Sequence, residues 1–260
     1  MRDFVSDLGE VFAVFDRTQD SGNVSWGIRR DHVRWFVKSA GDPGDDRPAL
    51  PFSKRVTLLH NAVEIAESVQ HPVRPVLYRI VECSDGPLLV GEWVDGELPR
   101  TSQAERSSPE SPIARFRTLP VERIDEALDA LFDLHIRLAE KGWIAGDFYD
   151  GCLMYDFEAH LLHVIDLDGY VQGPSKNLMG RMFGSSRFIA PEEFRLGATI
   201  DERTTVFNLG RAIFELHPQA SSRVRAVALK ACSEEPSERY DCVDAFVSSW
   251  REAVSRGTVS

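Results

Sequence analysis

The sequence is poor in cysteine, in positive charge and in long apolar runs. Its 260 residues include 4 cysteines, Cys83, Cys152, Cys232 and Cys242, and no two of them make a C-x-x-C pair. This spacing argues against a zinc cluster and a disulfide framework, and it predicts reduced thiols in a cytoplasmic protein. No run approaches the roughly 18 apolar residues that a membrane-spanning helix needs. The start, Met1-Arg-Asp-Phe-Val-Ser-Asp7, lacks the apolar stretch of a secretory signal. No membrane partner is therefore expected. Lys plus Arg is 30 against 41 Asp plus Glu, a formal net charge of −11. That balance argues against general nucleic-acid binding. A hydrophobic share of 43% with 27% charged residues is ordinary for a soluble globular chain. The length allows one large domain or two small ones.

The first third reads as strands. Phe12-Ala-Val-Phe15, Val24-Ser-Trp-Gly-Ile28 and Val33-Arg-Trp-Phe-Val-Lys38 are short, rich in β-branched and aromatic residues, and separated by polar turns. A Gly/Pro/Asp loop follows at 41–48. Leu58, Leu59, Ala62, Val63, Ile65, Ala66 and Val69 then give a helical face over Lys54–Val69. Val76–Val81 and Pro87–Val90 predict two more strands. The Ser/Pro/Glu-rich stretch Pro99–Pro112 predicts a mobile loop. Beyond it helices dominate, over Val121–Lys141, Thr205–His217, Ser222–Cys232 and Cys242–Arg256. A small hairpin, Cys152–Tyr155 with Leu161–Ile165, lies among them.

Several short motifs fall in one order along this layout: Phe36-Val-Lys38, Ala145-Gly-Asp147, Val164-Ile-Asp166-Leu-Asp168, Ala190-Pro-Glu192, Val206-Phe-Asn-Leu-Gly210 and Pro236-Ser-Glu-Arg239. In order and spacing the chain resembles the bacterial Ser/Thr protein kinase-like family over roughly residues 10 to 250. The resemblance implies an α+β, two-lobed fold. Residues 1–96 would form a lobe of antiparallel sheet plus helix, and 97–260 a mainly helical lobe, with the active cleft between them. It implies ATP and Mg²⁺ (or Mn²⁺) as ligands. Lys38 would hold the α- and β-phosphates, as the Lys of V-A-I-K does. Asp147 would orient the acceptor hydroxyl and take its proton. Asp166, in the place of the D-F-G aspartate, would bind metal. Gly22 would be what is left of the phosphate loop, and the hinge Gly91-Glu92-Trp93-Val94 would meet the adenine through Glu92 and Val94. Ser185 falls where a residue contacts the acceptor-site Asp, and Glu192 would pair with Arg239 as a buried structural link.

The departures are as informative. Arg17 and Gln19 stand where the phosphate loop has glycines, and Ser21 and Asn23 could add donors there. Ala62 occupies the place of the helix Glu that pairs with Lys38, and Glu64 lies about 200° around the helix from it. Ala145-Gly146 replaces H-R, which predicts activity independent of an activation-loop phosphate. Thr205 replaces the Asp that braces the catalytic loop, so that brace is expected to be lost with the Arg. Cys152 replaces a metal-binding Asn, and a thiol suits Mg²⁺ poorly. Asp168 is expected to share the metal with Asp166, with Asp150 a further carboxylate in reach. Tyr149 stands where a Lys normally steadies the phosphoryl group. Gly91 predicts an open rear to the adenine site.

Three functions follow from these residues. One is an ATP-dependent phosphotransferase acting on Ser/Thr of a protein. The second is a pseudokinase that binds nucleotide as a regulatory or scaffold module. The third is a small-molecule kinase or adenylyltransferase, suggested by Gly146-Asp147 and Asp166-x-Asp168. The acceptor and any partner protein are not specified by the sequence. With little before the first strand or after the last helix, the chain reads as close to a minimal kinase-like domain.

Overall fold

The computed structural model describes residues 2–16, 22–45, 47–100 and 108–256. By its internal packing the chain divides into two compact units, Met1–Val94 and Asp95–Ser260.

The first unit is built on a five-stranded antiparallel sheet: β1 (Glu10–Phe15), β2 (Val24–Arg30), β3 (Val33–Ser39), β4 (Leu77–Val81) and β5 (Leu88–Glu92), in the order β1-β2-β3-β5-β4. Alternation along each strand gives the sheet two different faces. One face carries Trp26, Ile28, Val37, Leu88 and Val90. It is closed by Val5 from a short helix, α1 (Arg2–Leu8), that the sequence pattern did not predict. The other face carries Leu89, which packs with Ala40 and with Leu59 of α2 (Phe52–Ser68). Lys38 is the cross-strand neighbour of Leu89 and of Ser25, so it belongs to this second face.

In the second unit α3 (Pro112–Arg117) and α4 (Val121–Glu140) lead into three pairs of short strands and loops, then α5 (Glu202–Leu216), α6 (Ser222–Ala231) and α7 (Val243–Ser255). The strands are β6 (Trp143–Ile144), β7 (Leu153–Asp156), β8 (Leu161–Val164), β9 (Val171–Gln172), β10 (Ser175–Lys176) and β11 (Thr199–Ile200). They pair as β6–β9, β7–β8 and β10–β11. The apolar stripe of α4 is buried through Ile124, Leu128, Leu131, Leu134 and Leu138. Its Phe132 meets Phe246 and Trp250 of α7 edge to face. Gly210 lets α5 approach α6: a Cβ there would lie 2.7 Å from that of Ala231.

The expected mobile loop Pro99–Pro112 needs correction at its C-terminal end. Ser111 accepts the Ala114 amide at 3.3 Å and caps α3, with Pro112 in the first turn. Residues 101–107 lie outside the described residues.

Candidate active site

The site residues of the second unit are set by two loops. The first leaves β6 and carries Ala145, Gly146, Asp147 and Phe148. The second leaves β8 and carries Asp166, Leu167 and Asp168. Two ties bring them together. The β7–β8 hairpin continues as an Ile165 amide to Cys152 carbonyl bond of 2.9 Å, and β6, just before the first loop, pairs with β9, just after the second. At the contact, backbone meets backbone. A Cβ on Gly146 would run into the Gly169 carbonyl oxygen, and one on Gly169 would lie 3.1 Å from the Asp147 Cβ. At Gly146, where the resemblance has Arg, no side chain fits.

Asp147 itself has φ 57, a left-handed conformation that Asp tolerates better than most residues. Phe148, next to it, is buried against His135 and Phe188. The His135 ring is fixed at both nitrogens. Nδ1 faces the Leu131 carbonyl at 2.8 Å and so carries the proton. Nε2 therefore accepts from the Tyr170 hydroxyl at 2.7 Å. Burial pushes the Tyr170 hydroxyl well above its ordinary pKa, so it remains a donor.

The brace expected to be lost at Thr205 is present. The Thr205 hydroxyl accepts the Ala145 amide at 2.9 Å in a buried setting. A hydroxyl on the first turns of α5 thus reaches the loop that precedes Asp147, where the resemblance called for a carboxylate.

Asp166 is exposed and Asp168 is buried. Both offer carboxylate oxygens, which match the hard-donor preference of Mg²⁺. Cys152 points its thiol at the Asp147 carbonyl, 3.3 Å away. Among the described residues no cluster of three or more His, Cys, Asp or Glu is arranged to hold a metal. One or two carboxylates plus substrate phosphates is the usual arrangement for Mg²⁺, so the donor set fits that ion.

Asp150 is a correction. It is buried, and its Oδ2 takes a 2.6 Å bond from Arg187. Arg187 also donates to Glu215 at 2.8 Å, and Glu215 accepts from Arg211 at 2.9 Å. Burial opposes the Arg187 charge, but the two carboxylates more than offset it and raise its pKa. This network joins the loop after Asp147 to the segment before Ala190 and to α5. The sequence reading named neither Arg187 nor Glu215.

The same segment continues to Ser185, Glu192 and Arg239. Ser185 is half-buried, and its carbonyl accepts the Phe188 amide at 2.8 Å. Gly184, with φ 119, lies over Asp147: a Cβ there would sit 3.4 Å from Asp147 Oδ1. Glu192 and Arg239 form a bidentate pair at 2.6 and 2.8 Å, and Thr204 donates to Glu192 at 2.7 Å. Burial drives the Glu192 carboxyl up, yet Arg239 outweighs it and the group ends below its ordinary value.

In the first unit Lys38 is buried on β3. Glu64 is exposed on the outer side of α2, whereas Ala62 packs toward Leu89 and Ala40. Gly22 has φ 81, and its carbonyl accepts from Arg55 at 2.9 Å. Arg55 is fully buried at the start of α2. It also donates to the carbonyls of Ala40, Asp42 and Asp45, tying the end of β3 and the following loop to the helix. Val24 lies on the α1 face rather than with Lys38; Ser25 and Gly27 share the Lys38 face. Arg17, Gln19 and Ser21 lie outside the described residues.

Glu92 ends β5. Its amide donates to the Val76 carbonyl at 2.8 Å, and its side chain accepts the Val76 amide at 3.0 Å. Val94 is half-buried. At Gly91 a Cβ would lie 3.1 Å from the Val76 carbonyl oxygen. The β4 backbone therefore crowds that position.

With these positions in hand, comparison with solved structures is decisive for the fold. A kinase of Cydia pomonella granulovirus, PK-1, superposes with a TM-score of 0.72 over 95% of each chain, at 13% identity. The chain has a two-lobed protein kinase-like fold. At this identity the likeness reaches no further than the fold. No family model and no curated protein matches the sequence. In this kinase-like fold the sheet and helix of Met1–Val94 make one lobe, and the helical remainder makes the other. Among the described residues no helix is long and apolar enough to cross a membrane.

Proposed function

We propose that the protein is an ATP-dependent phosphotransferase that phosphorylates Ser or Thr of a protein. The observation that carries this is the placement of Asp147 against the segment Gly184–Glu192. Oδ1 faces Gly184, and the segment is anchored through Arg187 to Asp150 and through Glu192 to Arg239. A base held beside an ordered acceptor platform is what transfer to a peptide hydroxyl requires.

Each lobe contributes its own groups. Lys38, fixed by β3, neutralises the α- and β-phosphates, and Glu92 and Val94 offer backbone groups to the adenine. In the other lobe Asp166 and Asp168 would hold Mg²⁺ or Mn²⁺. The bound ion would offset charge on the β- and γ-phosphates. The acceptor oxygen forms a bond to the γ-phosphorus, and the bond from that phosphorus to the bridging oxygen breaks. Its electron pair leaves on ADP, and the hydroxyl proton passes to Asp147.

A pseudokinase reading has its own support. Gly22 is engaged by Arg55, and Cys152 stands in place of a metal-binding Asn. The two are separated by incubation with γ-labelled and, in parallel, α-labelled ATP plus Mg²⁺ or Mn²⁺ and generic protein acceptors. Asp147→Asn is the control, since Asn keeps the left-handed backbone that Ala would strain by about 1–2 kcal/mol. Label from the γ position on Ser or Thr, lost about 10²–10⁴-fold in the control, is the expected result. Nucleotide stabilisation with no transfer would leave the pseudokinase. Label on small molecules alone, or from the α position, would point to the third function. Asp168→Asn should change the Mg²⁺ dependence of transfer; an unchanged dependence removes Asp168 from the metal site.

A further inference from the structure

The loop after Asp147 lacks the lysine of the family, but a cation stands over it from elsewhere in the same unit. Arg100 Nη1 donates to the Tyr149 hydroxyl at 3.2 Å, and its guanidinium carbon sits 5.4 Å from the centre of the Tyr149 ring. Tyr149 lies two residues after Asp147. Its ring lies on Gly151, where a Cβ would overlap the ring atoms. A glycine there leaves the ring flat on the loop, and the flat ring is a platform for a cation.

The charges around this platform are uneven. Asp147, Asp166 and Cys152 all lie close enough to Tyr149 to raise the pKa of its hydroxyl, after burial, which is the largest cause. Arg100 is the cation that lowers it, and the net result is about 12, so the hydroxyl keeps its proton. Arg187 is committed to Asp150 and Glu215, Arg211 to Glu215 and Arg239 to Glu192, while Arg181 donates to the Gly184 carbonyl at 3.5 Å and faces the Phe194 ring. Among the described residues no carboxylate forms an ion pair with Arg100, which is exposed. A polyphosphate approaching Asp147 would meet this cation.

We propose that Arg100, held on the Tyr149 ring, is a catalytic residue that contacts the oxygens of the transferred γ-phosphoryl group. The proposal rests on the phosphotransferase reading and assigns the stabilising charge within it. Arg100 keeps its protons throughout. It offers N–H donors to the oxygens while the phosphorus passes from ADP to the acceptor. Tyr149 is the positioning residue, giving the guanidinium a face and a hydroxyl to rest on.

The test compares wild type, Arg100→Ala, Tyr149→Phe and the double variant Arg100→Ala/Tyr149→Lys, which puts a lysine at the usual place. Calorimetry measures the affinity for ADP and for the non-hydrolysable analogue AMP-PNP, with Mg²⁺. Arg100→Ala should weaken AMP-PNP by about 10-fold and leave ADP unchanged, because the lost donors serve only the terminal phosphate. Tyr149→Phe should show a smaller loss of the same kind. Transfer of γ-label should fall by about 10-fold or more in Arg100→Ala, in kcat, and recover in the lysine double variant. Equal losses for both nucleotides, or no loss for either, would overturn the assignment. If wild type shows the Arg100-dependent preference but transfers no label, the phosphotransferase reading fails and the phosphate contact stands. If wild type binds neither nucleotide, both fall.

Discussion

Arg187 Nη2 lies 2.6 Å from Asp150 Oδ2, and this contact ties the loop of Asp147 to the segment that carries Ser185. The Asp150 carboxylate is 1% exposed, so the bond from that guanidinium is shielded from water. Kinase-like chains with an Arg before the catalytic Asp can use a phosphate to hold the segment. Here a carboxylate inside the loop and an arginine on the segment do the holding.

Arg187→Met should therefore destabilise the fold by about 2–4 kcal/mol, since it breaks a 2.6 Å ion pair to a buried carboxylate while Arg187 itself is partly exposed. Asp150→Asn combined with Arg187→Met should recover part of the loss. Urea denaturation of the two singles and the double gives the coupling. Strict additivity would show that the pair does not hold the segment.

Thr205→Val keeps the shape of the side chain and removes the hydroxyl that accepts the Ala145 amide. A buried N–H left unpaired costs about 1–3 kcal/mol, and Thr205→Ser should lie close to wild type. The same ranking is expected in the hydrogen-exchange protection of the Ala145 amide. A Ser variant as weak as the Val variant would place the effect in packing instead.

Gly146→Ala should be among the costlier small changes in the second unit, at roughly 1–3 kcal/mol, since its Cβ would meet the Gly169 carbonyl. Gly146→Arg, which places there the Arg found in the chains this sequence resembles, should be at least as harmful. Thermal melts of both variants check this. A neutral Gly146→Ala would mean that the two loops separate without cost.

Stability should also depend on pH through Glu193. This residue is 2% exposed, and its carboxyl is pushed up from 4.5 to about 7, chiefly by burial. Between these values the unfolded chain has released the proton and the folded chain still holds it. The unfolded state then binds fewer protons, so stability falls as pH rises from 4.5 to about 7 and levels off above it. The full effect is roughly 3 kcal/mol. Glu193→Gln should lack this slope. Denaturant titrations of both proteins at pH 5 and pH 8 measure it, and parallel curves would exclude it.

Much of the fold was legible because its signals are local. The strand Val33–Lys38 alternates and is bounded by turn residues, and the stripe Ile124–Leu138 repeats at helical spacing. The helix α1 was missed because 7 residues carry too few turns for a periodic signal, and its burial comes from Val5 meeting a sheet formed elsewhere. The role of Arg187 was missed for a similar reason. Nothing in Ser185–Phe188 announces that Asp150, 37 residues earlier, is its partner.

The sequence by itself determined the ordered set of chemical groups: a lysine ending a strand, Asp147 after a long helix, the Asp166-x-Asp168 pair after a hairpin, and acid and base at Glu192 and Arg239. These follow from residue type and spacing along one chain. Tertiary structure alone decided what each departure means. Thr205 keeps the brace because α5 brings its hydroxyl to the Ala145 amide. Asp150 is a tether and Gly146 a point of contact, because hydrogen bonds and van der Waals overlap act through space over a few ångströms. The scarcity of positive charge matters in the same way. With a net charge of −11, Arg187 and Arg211 are bound to carboxylates, and only the folded arrangement sets Arg100 on a tyrosine ring.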